Sequence, residues 1–269
     1  MHLSRPARIA LRLAAALGFA LIYLPLLIVL LNSLNPSRSA GWPPPGLTLR
    51  WWSAAGHNAG ALGALWTSVQ AGLAATAIAL ALGTLLAFAV HKHAFFGRSA
   101  VSFAVVLPLA LPGIVTGIAL NSAFKTVLEP LGVGLGLFTV VVGHATFCVV
   151  VVFNNVVARL RRTPGSYEEA ALDLGAHSFR VFLDIVFPLM RSALLAGGLL
   201  AFALSFDEIV VTTFTAGPGV QTLPLWIFDN MARPRQAPVV NVVAAVLVLL
   251  SVVPIYVAQW LSSDTAHTR

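Results

Sequence analysis

Six stretches of this chain are long and apolar enough to cross a bilayer, and they decide most of what it can become. They fall at about 13–31, 64–90, 101–123, 137–157, 192–214 and 239–260. A hydrocarbon layer about 30 Å thick takes about 20 helical residues to cross. In lipid, each backbone N–H and C=O must find its partner inside the protein, which favours helices. The pattern therefore predicts an all-α polytopic membrane protein with six transmembrane helices. The second run is long enough to tilt or to project beyond the membrane. Only 9% of the 269 residues are charged and 58% are hydrophobic, whereas a soluble domain carries about 25% charged residues to cover its surface.

The net charge of +7 does not point to nucleic acid, because the basic residues are placed by topology. Arg5, Arg8 and Arg12 precede the first run, and His91, Lys92, His93 and Arg98 follow the second. Arg159, Arg161, Arg162, Arg180 and Arg191 separate the fourth from the fifth, and Arg269 ends the chain. The opposite side has Arg38, Arg50, Lys125, Arg233 and Arg235. Eleven of the 16 Lys and Arg residues thus share one side, and the positive-inside rule puts both termini in the cytoplasm. The first run is long for a signal sequence and lacks a small-residue cleavage site after it, so it reads as an uncleaved span.

Pro25, Pro108, Pro112 and Pro254 fall inside the runs. Any break they cause has to be covered by protein or trapped water. Gly113 and Gly117, four apart, predict a close helix approach. The segment Asn32 to Gly63 carries Trp42, Pro43, Pro44, Pro45, Trp51 and Trp52. Its tryptophans suit the headgroup zone. The single cysteine, Cys148, rules out a disulfide within the chain and reads as a small buried packing residue.

More than 30 residues separate the fourth and fifth runs, far beyond a simple helix–helix connection of about 2–8 residues. Ser166 and Glu169 have capping-box spacing. Glu168 and Glu169 fall in the first turn, where negative charge is favoured. Ala170, Ala171 and Leu172 favour a helix, and Gly175 suits a left-handed stop. Ser178 starts a second short helix reaching about Phe187, with Pro188 leading into the fifth run. Physics alone leaves two roles open: a knob that docks in another protein's groove, or an amphipathic hairpin on the membrane surface.

The segment resembles the EAA loop of ABC importer permeases. That motif is Glu-Ala-Ala, three residues, Gly, nine residues, Ile, two residues, Pro. Here it is Glu169, Ala170, Ala171, Gly175, Ile185 and Pro188, with Phe187 where Leu is usual. The resemblance extends along most of the chain to the spermidine/putrescine permeases of the PotC-like kind, nearest to the YdcV-like inner-membrane subunits. The stretches that carry it are Leu111 to Gly117, Val142 to Phe147 and Ala203 to Phe214. It implies a MetI-like permease fold, with residues 1–269 as one transmembrane domain and 159–190 as its cytoplasmic coupling loop. It implies two cytoplasmic ATPase subunits, a second and different permease chain, a periplasmic binding protein and a small cationic substrate. ATP and Mg would be bound by the ATPase partners, with no cofactor in this chain, and no phosphate-binding loop occurs in the sequence.

Asp207 and Glu208 interrupt the fifth apolar run. Ionised groups within a membrane are costly unless they face protein, water or a partner. A polyamine is a multiply charged cation, and the resembling permeases have an acidic pair at the matching positions. The bland alternative is pairing with a base near the outer end of the span. His144, Asn121, Thr146, Asn154 and Asn155 also fall in apolar runs, and interhelical hydrogen bonding is their default role. His144 and Asn121 join the acids as substrate-path candidates. No nucleophile elbow and no metal-ligand spacing appears, so the chain itself is not expected to be an enzyme. The rival function is a secondary transporter or channel for a small organic solute without an ATPase.

Overall fold

The computed structural model describes residues 4–38 and 41–264, with side chains described through residue 250. Pro254 and Arg269, invoked above, therefore lie outside the described side chains.

The apolar runs become long helices: α1 (Arg5–Ser33), α3 (Ala59–Lys92) and α6 (Leu137–Leu160), with a short α2 (Arg50–Gly56) ahead of α3. A fourth long helix, Ser178–Phe206, is also apolar enough to cross a membrane. The chain is an all-α polytopic membrane bundle, and among the described residues it has four candidate spans, or five when one bent helix pair counts as a span.

That bent pair corrects the expected continuous span at 101–123. It consists of α4 (Arg98–Ala110) and α5 (Gly113–Val127), and the chain turns by 107° between them. Leu111 is extended, with φ −79° and ψ 145°, as expected of a residue before proline. Pro112 has no N–H to continue the ladder. Pro25, by contrast, sits inside an uninterrupted α1.

The expected span at 192–214 is also re-cut. Its helix begins at Ser178 as α8 (Ser178–Val181), passes through a π turn (Phe182–Val186), and continues as α9 (Phe187–Phe206). The expected second short helix of the loop is thus the start of the span itself. Pro188 cannot donate to the preceding turn, and the Phe187 N–H bonds instead to the Phe182 carbonyl, which widens the turn. At its other end the helix stops at Phe206, and the chain resumes as α10 (Val210–Thr215). Two further helices follow, α11 (Leu223–Met231) and α12 (Ala237–Asp264). The expected run at 239–260 lies within α12, but its part with described side chains, Ala237–Leu250, is shorter than a span.

The chain divides into two compact units, residues 1–62 with 226–269, and residues 63–225. In the first, α1 and α2 pack on α12, while Leu13, Leu17 and Leu21 of α1 stay exposed, as suits side chains that meet lipid. The loop after α1 folds around the buried Asn35. Its carbonyl accepts from Trp51 Nε1 at 3.0 Å, and its Oδ1 accepts from Ser37 N–H at 2.9 Å.

In the second unit α6 is the central element, packed chiefly against α9. Small residues make this possible. A Cβ added at Gly83 of α3 would lie 2.9 Å from the Val149 carbonyl oxygen of α6. Gly197 of α9 lies against Val152 of α6. Cys148 is fully buried, and its Sγ donates to the Ala201 carbonyl at 3.3 Å, the packing role expected of it.

Candidate functional site

The loop between α6 and α9 folds around α7 (Ser166–Asp173), which has Glu168 and Glu169 in its first turn. The capping box expected from Ser166 and Glu169 does not form. Gly165 takes the N-cap with φ −64° and ψ −22°, and its carbonyl accepts from the N–H groups of Glu168 and Glu169. Ser166 is thereby drawn inside the first turn, where its hydroxyl caps nothing. The C-terminal stop forms as the sequence predicts. Gly175 has φ +83°, its N–H bonds to the Leu172 carbonyl, and Ala176 N–H bonds to the Ala171 carbonyl. These are the paired bonds of a Schellman motif.

Three contacts brace this loop, and none of them was legible in the sequence. Lys92, at the end of α3, forms an ion pair with Glu168, and Phe88 meets Phe182 edge to face at 5.6 Å between ring centroids. Arg159 Nε also donates to the Leu189 carbonyl at 2.7 Å, tying the end of α6 to the start of α9. The ion pair joins residues 76 apart. The sequence signalled only that their opposite charges belong to loops on the same side.

Among the motif residues, Glu169, Ala170 and Pro188 are exposed, Ala171 and Ile185 are half-buried, and Gly175 is exposed. Tyr167, Leu172, Leu174 and Phe179 add an exposed apolar ridge, with Leu174 89% exposed. The loop thus presents apolar side chains on a short helix braced from behind.

A second constellation forms where α9 gives way to α10. Asp207 ends α9 and is exposed, and Glu208 is half-buried in the break. Glu208 Oε1 accepts from the Val211 N–H at 2.8 Å, capping the first turn of α10. A cleft of about 540 Å³ is lined by both acids with Leu109, Val151, Leu200, Ala203 and Leu204. A second, of about 160 Å³, reaches Glu208 from Pro108, Gly113, Thr116 and Phe147. The two carboxylates are therefore the charged groups in the larger cleft, whose other lining residues are apolar.

The helix α10 is rich in β-branched residues, which do not favour a helix of six. Its neighbours hold it. A Cβ added at Gly117 of α5 would come within 2.5 Å of the Phe214 ring, and one at Gly143 of α6 within 3.2 Å of Val211. A Cβ added at Gly113 would meet Val210 at an ordinary 3.4 Å. The close approach expected of the Gly113 and Gly117 pair is thus made to α10. Asn121 Nδ2 donates to the Phe214 carbonyl at 2.5 Å, and Thr139 Oγ1 to the Thr215 carbonyl at 2.7 Å.

His144 is fully buried. Its Nδ1 lies 2.7 Å from Ser205 Oγ and its Nε2 2.8 Å from Thr212 Oγ1. The other polar candidates bond within their own helix, Thr146 to the Gly143 carbonyl and Asn155 to the Val151 carbonyl, while Asn154 is exposed. Among the described residues there is no group of three His, Cys, Asp or Glu side chains placed to hold a metal ion.

The chain is thus an all-α membrane bundle with a braced loop between α6 and α9 and a helix break that carries two acids. The family described as "Binding-protein-dependent transport system inner membrane component" matches residues 79–267. The spermidine/putrescine transport system permease protein PotC of Escherichia coli (strain K12) is 34% identical over 247 residues, 91% of either chain. The putrescine transport system permease protein PotI of the same strain is 33% identical, covering 86% of this chain and 83% of its own. A putative 2-aminoethylphosphonate transport system permease protein, PhnV, of Salmonella choleraesuis (strain SC-B67) is 29% identical over 92% of this chain and 93% of its own. The fold matches a chain in the crystal structure of a bacterial ABC transporter involved in the import of the acidic polysaccharide alginate. Its TM-score is 0.65 at 16% identity, over 98% of this chain and 99% of that one. The chain belongs to the PotC/PotI-like family of ABC importer permeases. It is the inner-membrane permease subunit of an ATP-driven import system, not its catalytic subunit, and this replaces the secondary-transporter reading.

Proposed function

We propose that the chain forms half of a translocation path for polyamines, putrescine or spermidine, in a bacterial inner membrane. Six spans with both termini cytoplasmic complete its topology: the three unbroken helices, the bent pair, the Ser178–Phe206 helix, and α12. Residues 1–269 act as one permease domain beside a second, different permease chain. A periplasmic binding protein delivers the cation. Two cytoplasmic ATPase subunits, which hold ATP and Mg, dock on residues 159–190. Glu169, Ala170, Ala171 and Gly175 supply the docking helix and its stop, and Ile185 and Pro188 join it to the fifth span.

The observation that carries the cation reading is the placement of Asp207 and Glu208 in an otherwise apolar cleft. A polycation that has shed part of its water is attracted there by charge, which a neutral lining cannot do. Asn121 and His144 support the same path from behind, through their bonds to α10. The names of PotC and PotI support this substrate class. Removing charge-assisted contacts costs about 1–3 kcal/mol, or roughly five- to 150-fold in rate. Asp207→Asn, Glu208→Gln and the double variant are to be compared in reconstituted complexes for putrescine and spermidine uptake. The expected result is slower uptake at normal assembly with the ATPase. Wild-type uptake by all three assembled variants would remove the acids from the path.

A further inference from the structure

We propose that His144 is a positioning residue for the cation path: it bridges α9 to α10 across the Asp207–Ile209 break and so sets where the two carboxylates stand. This rests on the reading that Asp207 and Glu208 line the path.

One assignment of protons satisfies the whole bridge. Thr212 Oγ1 donates to the Glu208 carbonyl at 2.8 Å. A hydroxyl has one proton, so toward His144 Nε2, 2.8 Å away, Thr212 is the acceptor and Nε2 the donor. In neutral imidazole Nδ1 then lacks a proton and accepts from Ser205 Oγ at 2.7 Å. The hydrogen bonds run in one direction, from Ser205 in the last turn of α9, through the His144 ring on α6, to Thr212 on α10, and onto the backbone of Glu208.

Asp207 N–H still bonds to the Ala203 carbonyl at 3.2 Å, and the Ile209 carbonyl accepts from Thr213 N–H at 2.9 Å, so the loosely held residue of the break is Glu208. The Glu208 N–H reaches the Ser205 carbonyl only at 3.4 Å. Its side chain is committed to the Val211 N–H, which fixes Glu208 to α10 and makes the position of α10 the position of the carboxylate. Imidazole suits the bridge because it is rigid and carries polar atoms on opposite edges, so it spans two hydroxyls on different helices. Around it the core is apolar, with Val140, Cys148 and Phe147 buried nearby on the same helix. Breaking one member there leaves its partners unsatisfied where water cannot replace it. His144 shows no exposed surface, so it acts on the cation through Glu208 and Asp207 and not by touching it.

The test uses the complete transporter in proteoliposomes with Thr212→Val, which keeps the side-chain shape and removes the hydroxyl. Thr212→Ser restores it, and Ser205→Ala and His144→Phe cut the bridge elsewhere. Each is measured for the KM and maximal rate of putrescine uptake. In parallel, Val211→Cys in a Cys148→Ala background is probed with a small thiol reagent, since position 211 is only 2% exposed. The bridge predicts that Thr212→Val raises KM about tenfold, the equivalent of one lost interaction, with a maximal rate changed less than twofold. It also predicts faster labelling at 211, and both effects reversed by Thr212→Ser. A role in stability alone would lower the amount of transporter and leave KM unmoved, which overturns the proposal. So does wild-type KM and labelling in Thr212→Val while Asp207→Asn raises KM, and in that case the path reading stands. Unchanged KM in Asp207→Asn with faster labelling in Thr212→Val fails the path reading and keeps His144 as the holder of the break.

Discussion

Replacing Gly175 with Val isolates the turn that ends the docking helix from everything around it. At φ +83° the backbone is in the left-handed region, where a Cβ crowds the following carbonyl and costs about 1–2 kcal/mol, more when branched. A Cβ at this position meets nothing within 4 Å, so strain is the whole effect and no clash confuses it. Gly165, at the other end of α7, is the matched control: its Cβ also meets nothing within 4 Å, and its φ is −64°, ordinary for any residue. If the Schellman turn sets the orientation of α7 on the ATPase, Gly175→Val should weaken ATPase binding by roughly five- to thirtyfold. Gly165→Val should stay near wild type, and Gly175→Asn should recover most of the loss because Asn tolerates this conformation. The assay is titration of the purified ATPase onto permease in nanodiscs, followed by substrate-stimulated ATP hydrolysis. Equal binding by Gly175→Val and Gly165→Val would refute the argument that the turn geometry matters.

Two other outcomes follow from single contacts, and a third from the distribution of charge along the chain. Gly83→Ala puts a methyl 2.9 Å from a backbone oxygen and should lower stability by about 1–3 kcal/mol, read by thermal unfolding in detergent, whereas Gly113→Ala, with its nearest neighbour at 3.4 Å, should be close to neutral. Reversing Glu168 to Lys should weaken ATPase coupling modestly, since a partly exposed ion pair is worth about 1 kcal/mol or less, and combining it with Lys92→Glu should restore coupling; no restoration would show that the pair does not brace the loop. A reporter fused to the C-terminus should be active in the cytoplasm, and activity confined to the periplasm would reject the proposed topology.

What the sequence disclosed and what it hid divide along the range of the forces involved. Hydropathy is a local sum, so the helices at 64–90 and 137–157 were legible to within a few residues. Gly175 was legible because one residue type is favoured at a left-handed stop. The 107° turn at Pro112 was signalled by the proline, but Pro25 sits unbroken in α1, and nothing local distinguishes the two. Ser166 had the right spacing for a cap and lost to Gly165, whose helical dihedrals moved the start of α7. The break at Asp207 was hidden by the apolar residues on both sides of it, and α10 is held by Gly117, Gly143 and Asn121 from other helices. The partners of His144 lie 61 and 68 residues away, a distance at which a single sequence carries no pairing information.

Cation import driven by ATP is the activity that most directly tests the proposed function. The complete complex should be reconstituted in vesicles with the binding protein outside and ATP inside, and uptake of radiolabelled putrescine followed with unlabelled spermidine, 2-aminoethylphosphonate or alginate oligosaccharide as competitors. The prediction is uptake that requires ATP hydrolysis and is suppressed by spermidine but not by the phosphonate or the acidic sugar. Uptake of putrescine without ATP, or import of the phosphonate or the acidic sugar in place of putrescine, would contradict it.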